Sequence, residues 1–403
     1  MSEPPVATLP PAPWRAAPGL ARLLDALGGE ARAVGGAVRD TLAGRPVSDV
    51  DLATPLPPET VVARLEAAGL KAVPTGIAHG TVTGIADHVP YEITTLRRDV
   101  ATDGRHATVA FTVAWREDAA RRDFTINALY ADPAAGDIWD YFGGIADLAA
   151  GRVRFIGDPA ARIAEDHLRI LRYFRFLARY GDNPDGAALD ACAAAARSLM
   201  ALSRERIADE LVRILTAPDP GDALATMAAR GIFDAFLPEI DGDAVESARL
   251  LIGREAAAGL APDPLRRLAA LLPDAPTADS VAARLKLSRR ARARLVAAHG
   301  PLPARADTRA RAYADGVEAV TDRILRSAEA DDVAPMLAQL AGWQPPALPL
   351  SGGALVARGI GAGPLVAQTL QAIERDWAAA GFPGDAAFDA LVEARVAEAL
   401  AGG

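Results

Sequence analysis

Apolar positions in the first third of the chain change rhythm several times. Residues 14–28 carry them at helical spacing and stop at Gly28-Gly29. Residues 31–34 suit a short strand, Gly35-Gly36 a turn, and residues 37–42 the start of a helix. Asp49-Val50-Asp51-Leu52 alternates polar and apolar, as a strand with one buried face does. Residues 59–68 read as a helix, and 80–85 and 91–95 as strands. Residues 97–112 are charged and loop-like until a last short strand, which suits a mobile connection over a site. Around 121–129 the pattern predicts a helix start held over a polar pocket. A strand over 152–156 follows the Gly143-Gly144 turn. Residues 162–179 then read as one continuous helix, capped by Asp158-Pro159. It carries Arg162, Asp166, Arg169 and Tyr173 on one side, while Ile163, Leu168, Leu171 and Phe174 supply burial. Beyond residue 215 the rhythm is helical: 221–231, 243–258, 263–272, 278–287, 288–299, 308–328, 330–341, 363–380 and 385–401, separated by Pro and Gly.

Composition narrows the class. The 403 residues are 51% hydrophobic and 24% charged, a globular balance with material for more than one domain. The formal net charge of −9 does not by itself suggest a nucleic-acid partner. Charge is uneven, however: residues 284–311 hold nine Lys/Arg against one acid, Asp307. Such a face on an acidic protein can dock phosphates, and Arg289, Arg290, Arg292 and Arg294 are the candidates. A single cysteine, Cys192, excludes an internal disulfide and reads as a small core residue. The Pro-rich lead-in, residues 1–14, has neither a basic start nor an apolar block, and no run is long enough to span a membrane, so a cytoplasmic location is expected. His79 and His88 lack zinc-ligand spacing.

Candidate chemistry gathers in the first half. Gly36 lets a ligand approach the backbone before a helix whose first amides would face it, and Arg39 lies within reach of a triphosphate. Asp49 and Asp51 point to the same side of their strand and repel unless a cation lies between them; hard oxygen ligands suit Mg²⁺. Glu92 is the candidate third carboxylate. Arg122 is placed to hold a triphosphate, with Asn127 or Asp123 to orient it. Asp166 and Arg169 form a reader of a nucleobase edge. Cytosine and adenine both present an exocyclic amine beside a ring-nitrogen acceptor, which a carboxylate and a guanidinium match. Guanine and uracil would leave buried groups unpaired.

GGAVRD (35–40), DVDLAT (49–54), DGRHATVAF (103–111), RRDFTINALY (121–130), EDHLRILRYFRF (165–176) and SRERIADEL (203–211) occur in this order. Together they resemble the class II tRNA nucleotidyltransferases, the CCA-adding enzymes and bacterial poly(A) polymerases. The resemblance covers roughly residues 30–215 and, less specifically, 349–377. It implies an α/β head of polymerase-β nucleotidyltransferase type, followed by all-α neck, body and tail. The expected divisions are 1–150, 151–216, 217–300 and 301–403. It also implies Mg²⁺ held by Asp49 and Asp51. Gly36, Arg39 and Arg122 would contact sugar and phosphates, and Asp166 and Arg169 would read the base. Arg172 and Arg175 would support the neck helix or touch phosphate. CTP and ATP would be the substrates and a tRNA 3′ end the partner. A poly(A) polymerase, an enzyme adding only A or only C, and a catalytically silent RNA-binding scaffold stay open.

Overall fold

The structure is a computed structural model. It describes residues 3–103 and 106–401, with backbone only at 99–103, 106–109 and 330. Part of the DGRHATVAF segment therefore lies outside the described residues. The chain divides into two compact units, one ending at Pro238 and the other starting at Glu239.

The first unit opens with β1 (Ala7–Thr8), α1 (Pro18–Ala26), β2 (Arg32–Val34), α2 (Gly36–Leu42), β3 (Asp51–Thr54) and α3 (Pro58–Ala67). Next come β4 (Lys71–Gly76), β5 (Thr81–Ala86), β6 (Val89–Thr95), β7 (Arg97–Asp103) and β8 (His106–Phe111). Then follow α4 (Trp115–Ala120), β9 (Leu129–Ala131), β10 (Asp137–Asp140) and α5 (Gly144–Ala149). Eight strands make one sheet in the order β1-β10-β9-β2-β3-β6-β5-β4. Within it β3 and β6 run parallel, and the other neighbours antiparallel. Alternation along β3 decides which side chains face which layer. Leu52 enters a core with Leu20, Leu23, Leu65, Val82 and Ile93, while Ala53 enters a second core with Leu96, Tyr130 and Ile156. Asp49 and Asp51 flank the buried Val50 and stay exposed.

α6 (Pro159–Glu165), α7 (Arg169–Tyr180), α8 (Gly186–Ala194), α9 (Arg204–Leu215) and α10 (Gly221–Ala229) complete this unit. α7 buries Ile170, Leu171, Tyr173, Phe174, Phe176, Leu177 and Tyr180. Its Tyr173 stacks on Phe155 at 5.8 Å between ring centroids. Cys192 is buried in α8, and burial pushes its thiol up to about 12, as befits a core residue.

Several sequence-based expectations need correction. The continuous helix over 162–179 is two helices, because Asp166 adopts an extended backbone (φ −151°, ψ 108°) that ends α6. Tyr173 is not on the Asp166–Arg169 side; it packs in the aromatic core. Residues 121–129 are not a helix start but the exit from α4, a single tight turn at Thr125–Asn127, and β9. The strand expected over 152–156 reduces to one bridge, Phe124 to Phe155. Residues 97–103, expected as loop, form β7 and pair antiparallel with β8, the last short strand expected before 112. β4, β9 and β10 are short or half-exposed and carry little periodic signal.

The second unit is helical. It comprises α11 (Gly242–Ala257), α12 (Pro264–Ala270), α13 (Ala275–Arg284), α14 (Arg289–Ala297), α15 (Thr308–Asp315) and α16 (Val317–Ser327). α17 (Ala330–Leu340), α18 (Gly352–Ala357), α19 (Pro364–Ala379) and α20 (Asp385–Ala401) follow. The helix expected over 308–328 breaks at Gly316, whose φ of +94° a side chain would resist. Buried ion pairs tie the first of these helices together: Glu255 with Arg266 (2.9 Å) and Arg267 (2.7 Å), and Asp322 with Arg266 and Arg294 (2.9 Å each). Trp377, Phe388, Ile373 and Leu355 centre a separate apolar cluster toward the C-terminus. Among the described residues, no helix is long and apolar enough to cross a membrane.

Candidate active site

A cavity of about 420 Å³ opens where the β2–α2 turn, β3, the 121–127 turn and the α6–α7 break converge. Gly36, Arg39, Asp51, Arg122, Asp166, Arg169 and Arg172 line it. Seven residues singled out along some 140 positions of sequence thus share one space.

The turn into α2 explains its glycine. Gly35 has φ +66°, which a side chain rarely adopts, and it sets the N-terminus of α2 at the cavity wall. From α2, Arg39 reaches in while held on three sides. Its Nε donates to Asp40 Oδ1 (2.9 Å), its Nη1 donates to Asn127 Oδ1 (2.5 Å), and its guanidinium lies 4.5 Å from the Tyr180 ring centre. Asn127 in turn donates to Asp123 Oδ1 (3.0 Å), and Asp123 Oδ2 accepts from Arg172 Nε (2.7 Å). Against the pull of burial, Arg172 and then Asn127 hold the Asp123 carboxyl below the usual carboxylate range. The lining is therefore a chain of charge-assisted hydrogen bonds, set before any ligand arrives.

Arg122 is positioned from below by Asp118. This carboxylate is 1% exposed and accepts from Arg121 Nε (2.8 Å), Arg122 Nη2 (3.1 Å) and the Tyr130 hydroxyl (2.6 Å). Against burial, Arg122 and Arg121 hold the Asp118 carboxyl down at about 2, so it stays ionised. Tyr130 and Asp118 likewise keep Arg122 protonated despite its depth.

The acidic side is less balanced. Glu92 on β6 is the parallel register partner of Asp51. Burial, then Asp49 and Glu92, push the Asp51 carboxyl up to about 6; Arg122 opposes them. Solvent reaches Asp51, yet protein crowds it on enough sides to weaken hydration. Hard carboxylate oxygens with surplus negative charge fit a divalent cation. Among the described residues, however, no three His, Cys, Asp or Glu converge into a metal cage. Glu92 adds its negative charge to Asp51 from the adjacent strand.

At the α6–α7 break, Asp166 Oδ1 accepts from the Leu168 amide (3.1 Å) and so closes the turn ahead of α7, while its Oδ2 accepts from Arg206 Nη2 (2.8 Å). Arg169 Nη1 donates to the Arg162 carbonyl (2.8 Å) and is also paired with Glu165. The break thus turns Asp166 and Arg169 toward the cavity with each held by a third group. Arg175 is not in the lining; it pairs with Glu210 at 3.2 Å, and burial lowers its guanidinium to about 10. Arg121, Phe176 and Arg206 line the cavity and were not singled out by residue type. Arg206 lies in the SRERIADEL segment, so the family pattern was the signal that could have found it.

The basic candidates of the second unit differ among themselves. Arg289 is exposed, and so is Arg290, 3.5 Å from Glu318. Arg292 is held by Asp279 through two hydrogen bonds of 2.5 and 2.6 Å. Arg294 is turned inward between Asp263 (2.8 Å) and Asp322 (2.9 Å), which corrects its place among the phosphate contacts.

Comparison with known proteins joins these observations. The Poly A polymerase head domain matches residues 31–154, and the probable RNA and SrmB-binding site of polymerase A matches 184–243. The mouse CCA tRNA nucleotidyltransferase 1, mitochondrial, is 34% identical over 372 residues, covering 88% of this chain and 84% of the mouse protein. The chain belongs to the CCA tRNA nucleotidyltransferase family. The zebrafish CCA tRNA nucleotidyltransferase 1, mitochondrial, is 40% identical to it over 275 residues, which cover 67% of this chain and 63% of that protein. The CCA-adding enzyme of Anoxybacillus flavithermus is 39% identical over 215 residues, covering 53% of each chain. Among solved structures, the Bacillus stearothermophilus CCA-adding enzyme in complex with CTP is 27% identical with a TM-score of 0.76. The match covers 95% of this chain and 99% of that one. The expected mixed-sheet head followed by helices is the architecture of this family member.

Proposed function

We propose that this chain adds C, C and A in turn to the 3′ end of tRNA, taking them from CTP and ATP and releasing pyrophosphate. One observation carries the reading: Asp51 for a cation, arginines for a triphosphate and an Asp–Arg base reader line a single cavity, with Asp49 two residues before Asp51 and outside the lining. No template strand is invoked, because Asp166 and Arg169 supply the complementary edge. Each transfer forms a bond between the RNA 3′ oxygen and the α-phosphorus and breaks the α–β phosphoanhydride.

Arg39 and Arg122 neutralise the triphosphate, and Gly36 admits it to the backbone amides of α2. Their pinned geometry spares reorganisation as negative charge builds on the leaving pyrophosphate. Asp49 and Asp51 would hold Mg²⁺, with remaining coordination sites left to phosphate and water, as is usual for this ion. An ion held there would supply Lewis acidity toward the attacking hydroxyl and charge to offset the phosphates. Asp166 accepts from the exocyclic amine of C or A, and Arg169 donates to the ring nitrogen. Arg172 braces Asp123 and the cavity wall. We assign the four-part division at 150, 216 and 300 and the tRNA contacts of Arg289 and Arg290 to the same reading. We keep the cytoplasm as the compartment; fractionation tests it against the mitochondrion named for the vertebrate relatives.

The deciding experiment is product sequencing. Purified protein and Mg²⁺ receive tRNA lacking its last three, two or one nucleotides, with CTP and ATP separately and together. Addition that stops at CCA supports the proposal. A single A added only to tRNA ending in CC would make it an A-adding specialist. Long A tails on unrelated RNA would make it a poly(A) polymerase.

A further inference from the structure

We propose that Arg206 is a specificity-positioning residue: it fixes the carboxylate of Asp166 so that this group accepts an amine and rejects a carbonyl. The inference rests on the base-reading assignment and names a residue that acts through it. Asp166 lies in an extended break, where a free side chain would sample several rotamers. Both its oxygens are nevertheless held, Oδ1 by the Leu168 amide and Oδ2 by Arg206 Nη2. A carboxylate offers about four acceptor positions, so two contacts orient the plane and leave capacity for a ligand amine.

Arg206 is well placed for this work. It sits in the first turn of α9, its amide hydrogen-bonds Ser203 Oγ, and Ile207, Leu211 and Ile214 bury the other face. One turn further on, Glu210 faces Arg175 (3.2 Å) and Arg172 (4.0 Å) on α7. α9 thus presents a cation to the reader carboxylate and an anion to the α7 arginines, which fixes the register of the two helices. Arg206 and Asp166 are each 27% exposed at the side chain. A pair this open to water adds little to fold stability, so keeping the fold does not require it. Its consequence falls on the cavity, which both residues line.

The test uses the full chain with Mg²⁺ and compares wild type, Arg206→Gln and Arg206→Lys. kcat/KM is measured for CTP against UTP on tRNA lacking CCA, and for ATP against GTP on tRNA lacking only A. In Arg206→Gln both ratios should fall roughly tenfold, the scale of one misaligned charge-assisted hydrogen bond, with the thermal midpoint unchanged. Arg206→Lys should recover part of the loss, because only one N–H of the guanidinium is used. Equal losses for all four nucleotides, or unchanged ratios, would overturn the inference while leaving the proposed function standing. Absence of C and A addition by the wild type would overturn the function, and this inference with it.

Discussion

Asp51 concentrates the logic of the site in one side chain. Burial and two neighbouring acids, Asp49 and Glu92, act against one arginine, Arg122, so its carboxyl is raised to about 6. Asp49→Ala or Asp51→Ala should remove several kcal/mol of charge stabilisation, on the order of 10³-fold in kcat, while tRNA binding by gel shift persists. Loss of binding with the fold intact would count against a metal role. Asp166 carries a different load. Its replacement by Ala removes both the amine acceptor and the partner of the Leu168 amide. Selectivity for C and A over U and G should drop by roughly 10–100-fold, the worth of one hydrogen bond to a charged group. Single-nucleotide incorporation with each NTP measures it, and retained selectivity would refute the reader. The carboxylates and arginines were legible because their chemistry is rare at such spacings. Arg206 and Phe176 were not, because an arginine or phenylalanine on a helix has a dozen ordinary uses.

Helix α14 shows why an element must be divided before it is given a role. Read as sequence, Arg289, Arg290, Arg292 and Arg294 form one basic stretch. In the fold they split by helical phase. Arg290 is 87% exposed, whereas Arg294 is 12% exposed between two acids. A double Arg289→Ala, Arg290→Ala change should lower the log–log salt slope of tRNA binding by up to about 2, near 0.9 per lost phosphate contact. The midpoint of unfolding should stay put. Arg294→Ala should do the reverse, destabilising the second unit by roughly 3 kcal/mol because it strips a partner from the buried Asp322. Urea unfolding and salt titrations of binding separate the two outcomes. The α6–α7 break belongs to the same scale. Apolar spacing runs through it without interruption, so a periodic reading sees one helix. A side-chain hydrogen bond from the Leu168 amide to Asp166 and an ion pair from α9 override the local preference.

Across the whole molecule, one consequence concerns pH. Burial, and then Arg326, hold His299 down at about 4, against an ordinary 6.5; Asp274 opposes them. Its Nε2 is buried with no hydrogen-bond partner among the described residues. The unfolded chain therefore takes up this proton first, and stability should be lost as pH falls from about 6.5 toward 4. Urea midpoints of wild type should fall over that window, and those of His299→Gln should fall less; parallel curves would refute the assignment. At this scale the sequence determined much by itself. Turn glycines and long amphipathic stretches specify local structure directly, so α3, β5, β6 and α20 stand close to where the pattern puts them, whereas the strand expected from Asp49 begins only at Asp51. The order of the motifs also carried the family. What only the tertiary structure decided depends on partners distant in sequence. β9 is a strand because β2 and β10 flank it, although its residues spell the start of a helix. Arg294 is internal because Asp263 and Asp322 close over it. Asp166 and Arg206, forty residues apart, meet because α9 packs along α7. Local preference is a matter of a few tenths of a kcal/mol per residue, and a buried contact outweighs it wherever the two disagree.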